Sequence, residues 1–146
     1  MAQLAPDERK HQLRVERELR TAGVSNLGMK RLGHRDLYRI VHPDERIQAV
    51  AYGRYRDTKK LPAWNEGILL ATDRRVLFLD RKPSFIKLED IPYDKIAGVE
   101  STKAGPSGSV TLFAGANVHA LLFVPNRCRQ QFVAYLEQRQ LEKKQE

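Results

Sequence analysis

Gly67-Ile68-Leu69-Leu70-Ala71-Thr72-Asp73-Arg74-Arg75-Val76-Leu77-Phe78-Leu79-Asp80 is the stretch that decides the fold. It holds two apolar runs of strand length, Gly67–Thr72 and Arg75–Asp80. Only Asp73-Arg74 separates them, so they read as a tight hairpin.

The same texture extends in both directions. Upstream, Ile47–Arg56 alternates Val50 and Tyr52 with Ala49, Ala51 and Gly53. Downstream, Ser84–Glu89 follows the Lys82-Pro83 break, and Lys95–Thr102 comes next. The Gly105-Pro106-Ser107-Gly108 loop leads into Ser109–Ala114, and Gly115-Ala116-Asn117 turns into Val118–Val124. That makes seven strands. No helical spacer lies between them, which excludes parallel pairing through crossover helices. An antiparallel barrel, closed or nearly so, or a small sandwich remains.

Helical patterns flank the strands. Pro6 and Asp7 suit a helix start and Gly23 a stop. Between them Val15, Leu19 and Ala22 form one narrow apolar stripe. So thin a stripe buries little unless it docks across the barrel or a second copy or partner covers it. A second short helix is expected over His34–Val41, with Leu37, Tyr38, Ile40 and Val41 apolar and His42-Pro43 ending it. At the other end, Asn126 after Pro125 is a fair cap. Cys128, Phe132, Tyr135 and Leu136 then recur at helical spacing, a stripe wide enough to close one end of a barrel. The tail turns polar from Glu137 and is expected to fray after Leu141. The organisation expected is a helical extension over 1–42, a barrel with its helix over 43–140, and a polar tail over 141–146.

Seven short strands followed by one amphipathic helix is the order of the pleckstrin-homology (PH) fold. His42-Pro43-Asp44-Glu45-Arg46, Tyr52-Gly53, the Gly67–Asp80 hairpin and Ile91-Pro92-Tyr93-Asp94-Lys95-Ile96 sharpen the likeness. Together they resemble the bacterial PH-like families, closest to the YokE-like group, over roughly residues 37–138. The resemblance implies a mainly β fold with flanking helices: a PH-like seven-stranded antiparallel barrel capped by a C-terminal α-helix, plus the N-terminal helical extension. It implies a binding role and brings no catalytic residues with it.

Composition is that of a globular protein, 41% apolar and 30% charged, with a net charge of +8. Such a charge suits acidic partners: nucleic acid, an anionic membrane surface or an acidic protein face. Cations exceed acids along the whole chain without forming a polybasic tail. Cys128 is the single cysteine, so no intramolecular disulfide is needed and a reducing, cytoplasmic setting fits. Met1–Pro6 lacks the charged start and apolar run of a signal peptide. The longest apolar runs, Ile68–Ala71 and Ala120–Val124, are too short to span a bilayer.

Chemistry-bearing patterns are sparse. His11, His34, His42 and His119 stand at no ligand spacing, so no metal, cofactor or small-molecule substrate is expected. Cys128 reads as a small buried hydrophobe without a partner base. Gly105-Pro106-Ser107-Gly108-Ser109 matches neither a phosphate loop nor a nucleophile elbow. No enzymatic role is expected.

The first long loop stands out. Arg54, Arg56, Lys59 and Lys60 cluster there against Asp57, and Trp64 follows. Cations meeting anionic headgroups beside an interfacial indole make a membrane-surface device. Three net charges give roughly 3 kcal/mol near an anionic leaflet. The plainer alternative has Trp64 capping the barrel rim and the lysines solvated. In PH domains that bind phosphoinositides, basic residues also open the second strand; here Asn65, Glu66 and Gly67 stand there. Nucleic acid ranks lower, resting only on Arg54-Tyr55-Arg56 and Tyr38-Arg39. The favoured reading is a protein partner or homo-oligomer, with Val15, Leu19 and Ala22 as contact residues.

Overall fold

The computed structural model describes residues 5–56, 64–82 and 85–145. Three helices come first: α1 (Pro6–Thr21), α2 (Asn26–Leu32) and the single turn α3 (His34–Leu37). Seven strands follow: β1 (Ile47–Arg56), β2 (Trp64–Thr72), β3 (Arg75–Lys82), β4 (Phe85–Pro92), β5 (Ile96–Ala104), β6 (Ser107–Ala114) and β7 (Asn117–Pro125). A 3-10 turn, Tyr93–Lys95, links β4 to β5, and α4 (Asn126–Gln145) closes the chain. The strands form one sheet in the order β4-β3-β2-β1-β7-β6-β5, each neighbouring pair antiparallel. The expected seven strands and final helix are all present.

The hairpin between β2 and β3 is locked to the segment before β1. Thr72 Oγ1 accepts the Arg74 and Arg75 amides at 3.1 Å each and donates to Glu45 at 2.6 Å. Arg46 N–H donates to Asp73 Oδ1 at 2.9 Å, and Arg74 pairs with Asp44 at 2.6 Å. The two sequence motifs that signalled the fold are thus halves of one polar clasp. Arg14 of α1 extends it, donating to the Glu45 and Pro43 carbonyls at 2.9 and 3.0 Å while pairing with Glu18.

Strands β1 to β3 are buried on both faces. Their inner row, Ala49, Ala51, Leu69, Ala71, Val76 and Phe78, packs with Val110, Leu121, Phe132 and Leu136. Their outer row, Val50, Tyr52, Ile68, Leu70, Leu77 and Leu79, is covered by Val15, Leu19, Met29, Leu32 and Leu37. Consecutive apolar residues in β2 and β3 are what a strand covered on both sides requires.

This corrects the expectation for the α1 stripe. Val15 and Leu19 are fully buried and Ala22 nearly so, against the chain's own sheet. The outer face of β1–β3 is apolar, so it takes the stripe that was expected to contact a partner. Val15 and Leu19 each contribute about 1.5–3 kcal/mol by leaving water, and the Ala22 methyl less.

Two helix boundaries also differ. The helix expected over His34–Val41 is only the turn His34–Leu37. A further helix, α2, precedes it. Ser25 Oγ caps its start by accepting the Gly28 amide at 3.1 Å, and Gly33, at φ +66°, ends it in the left-handed region. At the C-terminus, α4 runs past Leu141 to Gln145, with Lys143 Nζ donating to the Asp94 carbonyl at 3.0 Å.

Two devices bend the sheet. At Gly53 a Cβ would stand 2.3 Å from the Leu122 carbonyl oxygen, so only glycine lets β1 cross β7 there. In β7 the register to β6 shifts between Gly108 and Val110, with Phe123 at φ +59°. The extra residue turns both Leu121 and Val124 inward and leaves Leu122 and Phe123 outside.

Candidate functional site

The outer row of β1 runs Val50, Tyr52, Arg54, so Arg54 is the position where the helical cover ends and solvent begins. It registers with Leu122 of β7, which is 37% exposed, and Phe123 beside it is 58% exposed. Arg56 registers with Trp64 across β1 and β2. Lys59, Lys60 and the side chains of Arg56 and Trp64 lie outside the described residues. Of the five residues named for a membrane surface, the structure therefore places one side chain, Arg54, next to an apolar one.

Inside the sheet the same end is polar and aromatic. Tyr55 packs edge-on against Phe78 at 5.6 Å between ring centroids, and Phe78 lies 4.5 Å from the His119 ring. His119 Nε2 sits 3.4 Å from Glu89, whose other oxygen accepts from Asn117 at 3.4 Å. Asp80 is buried nearby on β3.

A second surface lies along one edge of the sheet. Strand β5 is an edge strand, paired among the described residues with β6 alone. Helix α4 runs antiparallel to it and is pinned along its length. Asn126 Nδ2 donates to the Gly105 carbonyl at 2.9 Å, Arg129 Nη1 to Ser101 Oγ at 2.9 Å, and Lys143 to Asp94 near the far end. Between the start of β5 and the C-terminal half of α4 lies a cleft of about 320 Å³. Ile96 and Leu136 line its apolar side, and Gln140 and Glu142 its polar one.

One wall of the cleft is built in detail. Arg139 stacks over the Tyr93 ring at 4.0 Å, and Tyr93 meets Tyr135 edge-on at 6.4 Å. Both hydroxyls donate to the Thr72 carbonyl, Tyr135 at 3.4 Å. Burial, then the neighbouring Tyr135, pushes the Tyr93 phenol well above its ordinary range, so it stays a neutral donor. The cleft thus offers the first residue of an edge strand, an apolar floor, and a fixed guanidinium on an aromatic plate. Such a constellation suits an extended peptide segment, whose main chain extends the sheet while side chains settle against the helix. The sequence named Tyr93 and the α4 stripe, yet nothing in their spacing joins Arg139 to Tyr93.

Other chemistry-bearing residues are structural. His11 Nε2 lies 2.8 Å from the carbonyls of both Tyr38 and Val41, tying α1 to the segment after α3. Cys128 is buried beneath Tyr52, and burial pushes its thiol up to about 11. The Gly105-Pro106 segment is the plain turn of the β5–β6 hairpin. Among the described residues no group of three or more His, Cys, Asp and Glu is able to hold a metal ion. No described helix is long and apolar enough to cross a membrane.

A family model described as "Bacterial PH domain" matches residues 41–137. No curated protein matches the sequence. Among solved structures, the PH domain of USP37 is similar at 14% identity and a TM-score of 0.45, covering 60% of this chain and 92% of that one. A PH domain from Shewanella amazonensis is similar at 17% identity and a TM-score of 0.45, covering 69% and 91%. A DUF1696 family protein with a PH domain from Shewanella loihica is similar at 18% identity and a TM-score of 0.42, covering 74% and 91%.

Proposed function

We propose that this chain, which belongs to the bacterial PH domain family, is a non-catalytic module that binds an extended protein segment between β5 and α4. Within the family, the motifs quoted above resemble those of the YokE-like group, which supports that assignment as a proposal. One observation carries the reading: among the described residues β5 pairs with one strand, and its first residue, Ile96, lines a 320 Å³ cleft with Leu136 and the Arg139–Tyr93 stack. The partner is another protein or a second copy of this chain. The cytoplasm is its expected place, since the lone buried thiol needs no oxidising compartment.

The test is site-specific photocrosslinking in cells. A crosslinker at position 140, in the cleft, is expected to trap a discrete protein adduct. One at the exposed position 27, on α2, serves as control. Equal trapping at both positions, or none at 140, defeats the reading.

A second reading, peripheral association with an anionic membrane through Arg54, Arg56, Lys59, Lys60 and Trp64, has one supporting observation. Arg54 is exposed and registers with the exposed Leu122, a cation beside an apolar side chain. Vesicle co-sedimentation decides it. Binding that is absent on neutral lipid, present on anionic lipid and lost on reversing these four cations supports this reading; equal sedimentation on both lipids ends it.

A further inference from the structure

We propose that the cavity between α2, α3 and the outer face of β3–β4 binds a small carboxylate carrying a medium-length hydrocarbon chain. The cavity holds about 260 Å³. Its floor is the cross-strand pair Leu79–Leu88, and its walls are Leu32, Leu37 and Ile40. Leu32, Leu37 and Leu79 are at most 3% exposed, whereas Leu88 is 46% exposed. The apolar interior therefore opens to solvent on the β4 side. This is the margin of the helical cover, where α2 and α3 end before the edge strand.

Volume sets the size of the guest. A dry apolar cavity of roughly 150 Å³ takes a benzene ring, so 260 Å³ holds roughly ten non-hydrogen atoms. An eight-carbon carboxylate is of that size.

Charge sets its head group. Arg81 lines the cavity, with its guanidinium laid against Gly33 and donating to the Arg31 carbonyl. Gly33 has no Cβ, and one placed there would come within 2.9 Å of Arg81 Nη1. The helix end thereby lets the cation sit at the cavity wall. The acid of the lining, Asp36, is offset by Arg39, whose Nη1 is 4.0 Å away. Glu66, in register with Arg81 across β2 and β3, is paired with Arg31 at 3.3 Å, so among these described charges Arg81 is the cation left over and an anion is the complement. A neutral or cationic chain of the same length would fill the space without meeting Arg81.

The experiment titrates the full chain with octanoate, octanol and octylammonium while recording amide NMR spectra. Octanoate is expected to shift the amides of Gly33, Leu79 and Leu88 with a Kd of about a millimolar or tighter. Octylammonium should bind about tenfold more weakly, the worth of one charged hydrogen bond. Arg81→Met keeps the aliphatic stem and should bring octanoate down to the level of octanol. Leu88→Glu, at an exposed position, should weaken octanoate about tenfold without weakening octylammonium. If Arg81→Met does not fold, the Leu88→Glu variant and the three-ligand comparison still decide. Equal affinity for the three ligands, shifts confined to other parts of the chain, or no shift at all overturns the proposal.

Discussion

Glu45 is wholly buried and receives Arg75 twice, at 3.0 Å from Nε and 3.1 Å from Nη2. The same carboxylate accepts the Thr72 hydroxyl and the His42 amide. Arg75 reaches further, to Asp90 of β4 at 2.8 Å and to the Ile40 carbonyl at 3.3 Å. One ion pair thus joins the helical extension, the β2–β3 hairpin and the fourth strand.

Removing one partner of such a pair leaves the other buried and uncompensated. Glu45→Gln is expected to lower the unfolding free energy by about 3–5 kcal/mol, read from urea denaturation. Acid should act in the same way. Burial pushes the Glu45 carboxyl up, but Arg75, Thr72 and the His42 amide outweigh it and hold the group at about 2, against an ordinary 4.5. A pKa lowered by folding stabilises above the unfolded value and fades as pH falls through the folded one. Roughly 3 kcal/mol should therefore be present above pH 4.5 and disappear toward pH 2. Glu45→Gln should flatten that part of the pH profile; an unchanged profile would show that another carboxylate governs it.

Leu19 tests where the α1 stripe belongs. Leu19→Ala is expected to cost about 2–5 kcal/mol of stability, as for any fully buried leucine. The mass in solution should not change, because the residue faces the chain's own sheet. A fall in mass with unchanged unfolding would return Leu19 to an interface between copies.

Gly53 and Gly98 make a matched comparison. Gly53→Ala drives a methyl into the Leu122 carbonyl and should cost more than about 2 kcal/mol. A Cβ at Gly98 meets nothing within 4 Å, so Gly98→Ala should be neutral or raise stability by about 0.4–1 kcal/mol. Thermal midpoints of the two variants check the pair.

Cys128 should be chemically silent in the folded chain. Its thiol is raised to about 11 by burial, so thiolate at pH 8 is about one part in a thousand and shielded from reagent. Modification by an aromatic disulfide reagent should follow the fraction unfolded across a urea series. Rapid labelling without denaturant would contradict this burial.

Much of this architecture was legible in the sequence because turn residues punctuate the strands: Asp73-Arg74, Gly105-Pro106 and Gly115-Ala116 each mark a hairpin. The helical cover was legible too, though only in retrospect. Ile68-Leu69-Leu70 and Val76-Leu77-Phe78-Leu79 are continuous where a half-exposed strand would alternate, and that pattern demands a second layer. Helix α2 is too short for periodicity to reveal, although Ser25 and Gly33 mark its ends. The bulge at Phe123 had no local signal, since phenylalanine rarely adopts a positive φ and only the register to β6 imposes it. The Arg139–Tyr93 stack was hidden for a different reason: it joins an α4 residue to one preceding β5, and only the closed fold brings them together.

Because β1–β3 carry two apolar faces, the order in which the chain is synthesised gives them two different waiting times. The helices that shield one face leave the ribosome before the strands do, so that layer can assemble as soon as Leu79 emerges. The other face begins to be covered only at Val110 and is not closed until Phe132 and Leu136 arrive, more than fifty residues after Leu79. Half of this barrel is therefore dressed early and half late, and a nascent chain stalled near Pro125 would present one sealed side and one sticky one to chaperones.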